Sequence, residues 1–218
     1  MSEATLYSLS QPPLQPAGVR SPLLVLLHGY GSDERDLMGL VPYLDPRLRV
    51  VSVRAPQALE QGGYAWFPVQ FTPFGLVLDH AQAQKARSAL IAFIEDLAAG
   101  PEVDPRRVFL LGFSQGAGMA LSVALHRPQL AAGVIFLSGL VVPQMLPEGG
   151  AEGLRGLEVL MVHGRQDPLI LIAKARASRD LVEKLPLRLR YRECEMGHEI
   201  DEDCLEEVRG WLTERMGQ

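Results

Sequence analysis

Five short runs of mainly apolar residues restrict the folds that are open to this chain. Each run is four or five residues long, and the runs lie at 23–27, 50–53, 108–111, 133–137 and 159–162. A strand that is covered on both faces carries apolar side chains at consecutive positions, whereas a strand with one solvated face alternates. The runs therefore predict buried strands of a largely parallel sheet.

Amphipathic stretches with helical spacing separate these runs. Strands that alternate with helices are typical of an α/β fold, in which helices cover both faces of a mostly parallel sheet. Strict alternation at 187–192 predicts an edge strand, and residues 5–9 predict an antiparallel edge strand. With 218 residues and no linker-like stretch, we expect one domain over residues 1–218. The predicted helices lie at 81–97, 115–126, 174–185 and 202–216.

The composition argues against nucleic-acid and membrane partners. The net charge is -5, and no block of basic residues supplies an electrostatic footprint for nucleic acid. The amino terminus lacks the features of a secretory signal, and the longest nearly uncharged apolar stretch, 130–142, is too short to span a bilayer. We therefore expect a cytoplasmic protein with Cys194 and Cys204 reduced, while a disulfide between them stays open. The oligomeric state, a homodimer included, also stays open.

One predicted strand runs directly into the sequence Gly112-Phe113-Ser114-Gln115-Gly116, and a helix-like run follows. Glycines two residues before and two after the serine permit a sharp strand-to-helix turn, because a side chain at either position would clash with the neighbouring strand or helix. Such a turn exposes the serine hydroxyl above the sheet. The motif is weak alone, but with its flanking strand and helix it predicts that Ser114 is a nucleophile.

A serine nucleophile needs a histidine to accept its proton and an acid to orient that histidine. His198 follows the last predicted strand, and in sheets of this kind the base follows the nucleophile and the acid in sequence. We therefore assign His198 as the base. The other four histidines are interpreted as structural, namely His28, His80, His126 and His163.

The acid should follow a strand that lies between Ser114 and His198 in sequence. Asp167 stands there, in a turn before Pro168. The alternative is that Asp167 only caps the helix that follows. Two other aspartates, Asp180 and Asp201, are weaker candidates, because helical spacing places them on exposed faces.

The reaction also needs N–H donors for the developing oxyanion. We assign one to the backbone of Gln115, directly after the nucleophile, and the other to the backbone of Tyr30, in the glycine-containing loop 28–33. A plain glycine-rich turn is the alternative for this loop. Four strand ends thus supply the required parts in the required order, and open parallel sheets place their sites at those ends. The chemistry requires no metal ion and no organic cofactor.

Residues 61–75 do not fit the alternation of strands and helices, since they are rich in aromatic and turn residues. They form either a surface loop packed by its own rings or a wall of an apolar substrate pocket. We favour the pocket wall, because conspicuous loops on a rigid scaffold often carry binding. The candidate pocket residues are Trp66, Phe67, Phe71, Phe74, Leu140 and Leu169.

Taken together, these stretches resemble the phospholipase/carboxylesterase family of α/β-hydrolases, which includes the acyl-protein thioesterases. The resemblance covers nearly the whole chain, through residues 27–34, 112–116, 138–140, 163–168 and 197–200. It implies an α/β-hydrolase without a cap domain, with Ser114, Asp167 and His198 as catalytic triad and Tyr30 and Gln115 as oxyanion hole. Two residues depart from the family pattern. Tyr30 stands where the thioesterase branch often carries leucine, and Leu171 stands where the family often has proline.

We therefore expect a serine carboxylesterase that hydrolyses short- to medium-chain carboxylic esters of small molecules through an acyl-enzyme intermediate. The nearest alternatives are a thioesterase that removes acyl groups from protein cysteines and a lysophospholipase. A hydrolase fold that binds a small ligand without turnover is a further alternative. The complete set of nucleophile, base and acid argues against it, because a pure receptor has no need of all three.

Overall fold

The computed structural model describes residues 6–16, 18–72, 75–147 and 151–217, and only the backbone of 70–72, 75–77, 151 and 152. The strands in these ranges are β1 Ser8–Gln11, β2 Ser21–Leu27, β3 Arg49–Val53, β4 Gln57–Ala58, β5 Tyr64–Ala65, β6 Val69–Thr72, β7 Gly75–Leu78, β8 Val103–Phe113, β9 Gly133–Leu137, β10 Glu158–Gly164 and β11 Arg188–Cys194. The α-helices are α1 His80–Ala98, α2 Gln115–His126, α3 Ile172–Val182 and α4 Glu202–Met216. Short 3-10 helices lie at Asp36–Tyr43, Pro128–Leu130, Pro143–Met145 and Ala151–Leu154.

Seven of these strands form one sheet in the order β1-β3-β2-β8-β9-β10-β11. Strand β1 is antiparallel to β3, and the other neighbouring pairs are parallel. The predicted sheet is therefore confirmed, with β11 at one edge as its alternating sequence indicated. The antiparallel edge strand is also confirmed, but it begins at Ser8, so the predicted bounds 5–9 were too early. Residue 5 lies outside the described residues.

Apolar side chains cover both faces of the sheet. Along β2, Leu23, Val25 and Leu27 join a core beneath α1, α2 and α3. The alternate residues, Leu24 and Leu26, join a second core beneath α4 and the 3-10 helix Asp36–Tyr43. Each residue of β2 is buried, because successive side chains point to opposite faces and both faces are covered. The predicted helices on both faces are confirmed, and among the described residues no separate cap domain stands above the sheet.

Local sequence signals explain where the long helices begin and which face they bury. The Asp79 side chain accepts a hydrogen bond from the Gln82 N–H at the start of α1, and Asp201 accepts one from the Cys204 N–H at the start of α4. The buried side chains of α1 recur every four residues along one face. They are Ala86, Leu90 and Ile94.

Residues 61–75 are not a single irregular loop as expected. Strands β4 and β5 form one antiparallel hairpin, and β6 and β7 form another. The first hairpin turns through Gly62 and Gly63, which have φ of 93° and 75°, in the region that favours glycine. Hairpins supply the backbone hydrogen bonds that an irregular loop would lack. Phe74, one of the candidate pocket residues, lies outside the described residues.

Two further properties bear on the expected compartment and partners. Both cysteines are free and buried, and burial raises the pKa of the Cys194 and Cys204 thiols. A search of the described residues reveals no helix with the length and apolarity needed to cross a membrane. The prediction of one domain over residues 1–218 stays a prediction.

A buried ion pair braces the loop that follows β2. The Glu34 carboxylate has no exposed surface, and Arg54, just after β3, donates two hydrogen bonds to it at 2.6 and 2.7 Å. The Arg54 guanidinium lies between the rings of Tyr7 and Tyr64, 4.2 and 4.6 Å from their centroids. This hydrogen bonding lowers the pKa of the Glu34 carboxyl from its ordinary 4.5 to about 2. The ion pair thus links the loop after β2 to the end of β3. The ring contacts link Arg54 in turn to the segments that carry Tyr7 and Tyr64.

We expect Glu34→Gln to destabilise the fold and to remove part of its acid sensitivity. Because the folded carboxyl has the lower pKa, its stabilisation is complete above pH 4.5 and is lost as pH falls toward 2. At pH 7 the variant should melt roughly 5 °C or more below the wild type, and this gap should shrink in acid. Thermal unfolding across pH measures both effects. The matched control is Asp33→Asn, whose carboxylate pairs with an exposed arginine. An equal decrease of melting temperature in the two variants would contradict a stabilising role of the Glu34–Arg54 ion pair.

Candidate active site

The turn between β8 and α2 holds Ser114 in a strained backbone conformation. Its φ is 54° and its ψ is -116°, values that a residue other than glycine rarely adopts. A Cβ on Gly112 would overlap the Gly116 carbonyl in the helix, and a Cβ on Gly116 would overlap the Leu27 carbonyl in β2. The expected need for both glycines is confirmed. The helix thereby packs directly on the strand and presents the serine at the carboxyl end of the sheet.

Three side chains from separate strand ends form one hydrogen-bonded chain. The Ser114 hydroxyl lies 3.0 Å from His198 Nε2, and His198 Nδ1 lies 2.7 Å from Asp167 Oδ2. Since an ionised carboxylate only accepts, Nδ1 carries the proton and Nε2 is left to accept from the serine. The arrangement can carry a proton from the hydroxyl to the imidazole while the carboxylate holds the ring.

Asp167 is buried and nearly saturated with donors. Its Oδ1 accepts from the N–H groups of Leu169 and Ile170, both at 2.8 Å, while Oδ2 faces His198. Helix α3 begins at Ile172 and is preceded by Leu171 as its cap residue. The carboxylate therefore closes a turn ahead of the helix and is not the helix cap, which removes the alternative for this residue.

The two weaker aspartate candidates lie elsewhere and have partners of their own. Asp180 pairs with Arg179 on the exposed face of α3, at 2.6 Å. Asp201 caps α4 by accepting from the Cys204 N–H at 2.8 Å. Neither carboxylate joins the chain that links serine and histidine.

Two of the other histidines have their ring nitrogens bonded to the backbone. The Ala55 N–H donates to His28 Nε2, so His28 Nδ1 donates to the Gly29 carbonyl, at 3.0 and 2.8 Å. His126 Nδ1 lies 2.9 Å from the Ser122 carbonyl at the end of α2. Burial lowers the pKa of both rings. The structural interpretation of these two is confirmed.

His163 has a role that the sequence did not indicate. Its ring is buried, donates from Nε2 to the Ile170 carbonyl at 2.7 Å, and lies 3.4 Å from Asp167 Oδ2. Burial lowers the pKa of His163, and the Nε2–H that lies nearest the carboxylate is taken by the Ile170 carbonyl. The spacing of four residues from Asp167 across a strand end is the signal that could have indicated this contact. The N–H groups of Leu169 and Ile170 fix the carboxylate opposite His198, while His163 packs beside it and is bonded to the same turn through the Ile170 carbonyl.

Phe113 is a second residue that the sequence reasoning missed. Its ring lies 4.9 Å from the His198 ring, centroid to centroid, at an angle of 52°. The residue directly before the serine thus packs against the imidazole. Its place in the motif is a signal that could have been used.

The backbone of the loop after β2 passes close to the serine. A Cβ on Gly29, the residue before Tyr30, would lie 3.4 Å from Ser114 Cβ. Within the described part of the chain, the N–H groups of Tyr30 and Gln115 donate to no backbone oxygen, whereas the Gly31 N–H donates to Tyr64. The backbone of the described residues therefore leaves both N–H groups without an acceptor.

The expected pocket residues have different environments. Trp66 has no exposed surface, so its assignment as pocket lining was wrong for this structure. Its indole N–H donates to the His28 carbonyl at 2.9 Å, which makes it part of the core. Phe67 is also buried, Leu140 is partly exposed, and Leu169 is 73% exposed on the turn after Asp167. The side chains of Phe71 and Phe74 lie outside what the structure describes.

Leu171 adopts a backbone conformation that proline could share. Its φ is -54°, close to the value that a proline ring imposes. The residue is 61% exposed. The departure from the family pattern therefore changes the exposed side chain without requiring a different backbone.

One cavity of the described residues lies away from Ser114, as a groove of about 900 Å³ between β11 and α4. Several of its charged side chains pair with one another, as Arg190 does with Glu214. The described ranges also contain no group of three or more His, Cys, Asp or Glu side chains arranged to hold a metal ion.

Comparisons with known proteins match almost the entire chain. The sequence profile of the phospholipase/carboxylesterase family matches residues 14–215. Esterase YpfH of Escherichia coli strain K12 is 33% identical over 166 residues, which cover 72% of this chain and 67% of that protein. Lysophospholipase-like protein 1 of Mus musculus is 26% identical over 222 residues, which cover 93% and 90%. The crystal structure of esterase PE8 has a TM-score of 0.78 and 31% identity, covering 97% of this chain and 99% of that one. The predicted α/β-hydrolase fold is confirmed.

We expect Gly116→Ala to be strongly destabilising, because its new methyl group meets a backbone carbonyl that cannot move away. The loss should be about 3 kcal/mol, measured by urea unfolding. The matched control is Gly118→Ala on the same helix, whose methyl group would meet the flexible end of Met145 at 3.2 Å and the Leu140 carbonyl at an ordinary contact distance of 3.6 Å. Alanine favours helices over glycine, so the control should lose little. Equal stability of the two variants would contradict the close crossing.

Proposed function

The chain belongs to the phospholipase/carboxylesterase family, and from this premise we propose that it is a serine carboxylesterase acting on short- to medium-chain carboxylic esters. Its membership and its esterase relatives establish ester hydrolysis as the class of chemistry. The observation that carries the proposed mechanism is the chain from the Ser114 hydroxyl through His198 to Asp167, with distances of 3.0 and 2.7 Å. Such a chain suits nucleophilic attack by serine.

In the proposed acylation step, Ser114 Oγ bonds to the acyl carbon while its proton passes to His198 Nε2. The carbonyl oxygen becomes an oxyanion, which the N–H groups of Gln115 and Tyr30 receive. His198 then gives its proton to the ester oxygen as the carbon–oxygen bond breaks and the alcohol leaves. Asp167 stays ionised and stabilises the imidazolium between these two transfers.

In the proposed deacylation step, water repeats the attack on the acyl-enzyme. His198 takes a proton from the water as its oxygen bonds to the acyl carbon. It then returns that proton to Ser114 Oγ, and the carboxylic acid leaves. The two halves use the same groups, so neither a metal ion nor an organic cofactor takes part.

The preference for short to medium acyl chains is supported by the surroundings of the serine. Trp66 and Phe67 fill space in the core beside Gln115, whereas Leu169 and Leu171 are exposed on the turn after Asp167. An acyl chain would therefore meet apolar side chains at the surface. Comparing turnover of a short ester, a long-chain thioester and a lysophospholipid tests this preference against the thioesterase and lysophospholipase alternatives. For the lysophospholipase alternative, one relative of this chain is named lysophospholipase-like protein 1.

For the compartment and the pocket we retain the sequence-based proposals. The free thiols of Cys194 and Cys204 support a cytoplasmic location, where cysteines stay reduced. Phe67, Leu140 and Leu169 remain candidates for substrate contact, together with Phe71 and Phe74. Hydrolysis of a chromogenic ester separates an enzyme from a hydrolase fold that only binds its ligand.

We expect Ser114→Ala to lower kcat for a chromogenic ester by about four orders of magnitude, because the nucleophile is lost. A fluorophosphonate probe should label the wild type at Ser114, as located by peptide mapping, and should leave the variant unlabelled. Ser88 on α1 is the matched control, and Ser88→Ala should keep wild-type turnover. Near-normal activity in Ser114→Ala, or a label on another residue, would refute the mechanism.

We expect Asp167→Asn to lower kcat by about four orders of magnitude while the fold persists. An asparagine amide can donate to Nδ1, which would move the ring proton to Nε2 and leave no acceptor for the serine. The exposed Asp180 provides the matched control, Asp180→Asn. Melting temperature and ester turnover are measured on both variants. Turnover of Asp167→Asn within tenfold of the wild type would show that another group orients His198.

A further inference from the structure

The side-chain amide of Gln115 bridges the nucleophile turn and the segment that follows β5. Its Oε1 accepts from the Trp66 N–H and its Nε2 donates to the Phe67 carbonyl, both at 2.8 Å. Both partner residues are buried, so these backbone groups have no water to replace the amide. The mechanism above uses only the backbone N–H of Gln115 and leaves this amide without a role.

The same segment is tied to the loop that carries Tyr30. The Gly31 N–H donates to the Tyr64 carbonyl at 2.9 Å, and the Tyr64 N–H donates to the Ser32 carbonyl at 2.8 Å. On the other side of Tyr30, the Trp66 indole donates to the His28 carbonyl at 2.9 Å. Hydrogen bonds thus hold the loop to the segment both before and after Tyr30.

Close packing leaves this connection little freedom. A Cβ on Gly63 would overlap the Gly31 carbonyl, so the hairpin and the loop touch through their backbones. The sheet itself aligns Leu27 with Gly112, but this pairing ends before the loop and the turn begin. Beyond the strand ends, a continuous path from the turn to the loop runs through the Gln115 amide and the 64–67 segment.

We propose that the Gln115 side chain is a positioning group that fixes the Tyr30 N–H relative to the Gln115 N–H, and so sets the geometry of the oxyanion hole. This inference rests on the proposed esterase function. One residue would then act twice, with its backbone donating to the oxyanion and its side chain holding the loop that bears the second donor. Donors in an oxyanion hole act through placement, because they must meet the charge where it develops.

The variants Gln115→Glu and Gln115→Met test the proposal, since both keep the backbone N–H. Glutamate keeps an acceptor for the Trp66 N–H but has no donor for the Phe67 carbonyl, and methionine fills similar space with neither. In both variants kcat for a chromogenic ester should fall roughly 10- to 100-fold, with KM changed less than about threefold. The matched control is Gln84→Glu on α1, where the glutamine is exposed and turnover should match the wild type.

The inhibition constant of a trifluoromethyl ketone is a quantity that would not change if the Gln115 amide only stabilised the fold. Serine adds to it to form a tetrahedral oxyanion, so its inhibition constant should rise by the same factor as kcat/KM falls. Fluorophosphonate should still label Ser114 in both variants. A lower melting temperature with unchanged kcat and unchanged inhibition constant would overturn the proposal, because the amide would then serve only stability.

A pH series on Gln115→Glu sharpens the test. A protonated glutamic acid can donate to the Phe67 carbonyl and still accept from the Trp66 N–H, so it restores both bonds. The ratio of variant to wild-type kcat should therefore rise as pH falls, and a flat ratio would overturn the proposal. The ionisable side chains on the surrounding segments are the same in both enzymes, so the introduced carboxyl group is the one titratable group that differs between them. The shared ionisable side chains are His28, Glu34, Arg54, Tyr64, Asp167 and His198.

If both Gln115 variants fail to fold, the variant Trp66→Phe tests the proposal instead. It keeps an aromatic ring in the core but removes the indole N–H that ties the segment to the His28 carbonyl, together with the five-membered ring that carries it. We expect kcat to fall and the inhibition constant to rise together, by roughly 3- to 10-fold. Wild-type values of both would overturn the proposal while leaving the esterase function intact. Failure of the proposed serine mechanism would appear separately, as undiminished turnover in Ser114→Ala.

Discussion

The contact between helix α2 and strand β2 at Gly116 is the constraint on which the site depends. With no side chain there, the helix begins directly against the Leu27 carbonyl. That approach forces the chain to turn at Ser114 within one residue, and a positive φ is how it does so. Residues 116–125 of the helix are buried, so the core holds the strained turn in place. The packing of these helix residues in the core thus offsets the backbone strain at Ser114.

The parallel sheet then brings residues that are far apart in sequence close together in space. The carboxyl ends of β2, β8, β10 and β11 face the same edge, and each is followed by one part of the proposed site. The loop after β2 brings Tyr30, the turn after β8 brings Ser114, and the last two strands bring Asp167 and His198. None of these connections needs to be long, because the strands have already been aligned by their hydrogen bonds.

The parts that the sequence predicted are those fixed by local pattern. Mainly apolar runs identified the buried strands, because two covered faces leave few polar positions. The glycine spacing identified the turn, because no other residue fits there. The environment of Trp66 and the hairpins at residues 57–78 were not predicted. Trp66 donates hydrogen bonds to Gln115 and to His28, which are 49 and 38 residues away from it in sequence. No pattern within a short window encodes such partners.

The choice among histidines illustrates the same limit. His28, His163 and His198 each follow or end a strand, so position alone does not separate them. What separates them is how their ring nitrogens are used. The backbone takes both nitrogens of His28 and the Nε2 of His163, and burial lowers the pKa of these two rings. Only His198 has one nitrogen on a carboxylate and the other on a hydroxyl. His163 and His198 thus lie near the same oxygen of Asp167, but His163 is bonded to the turn that carries the carboxylate and His198 is bonded to the carboxylate itself.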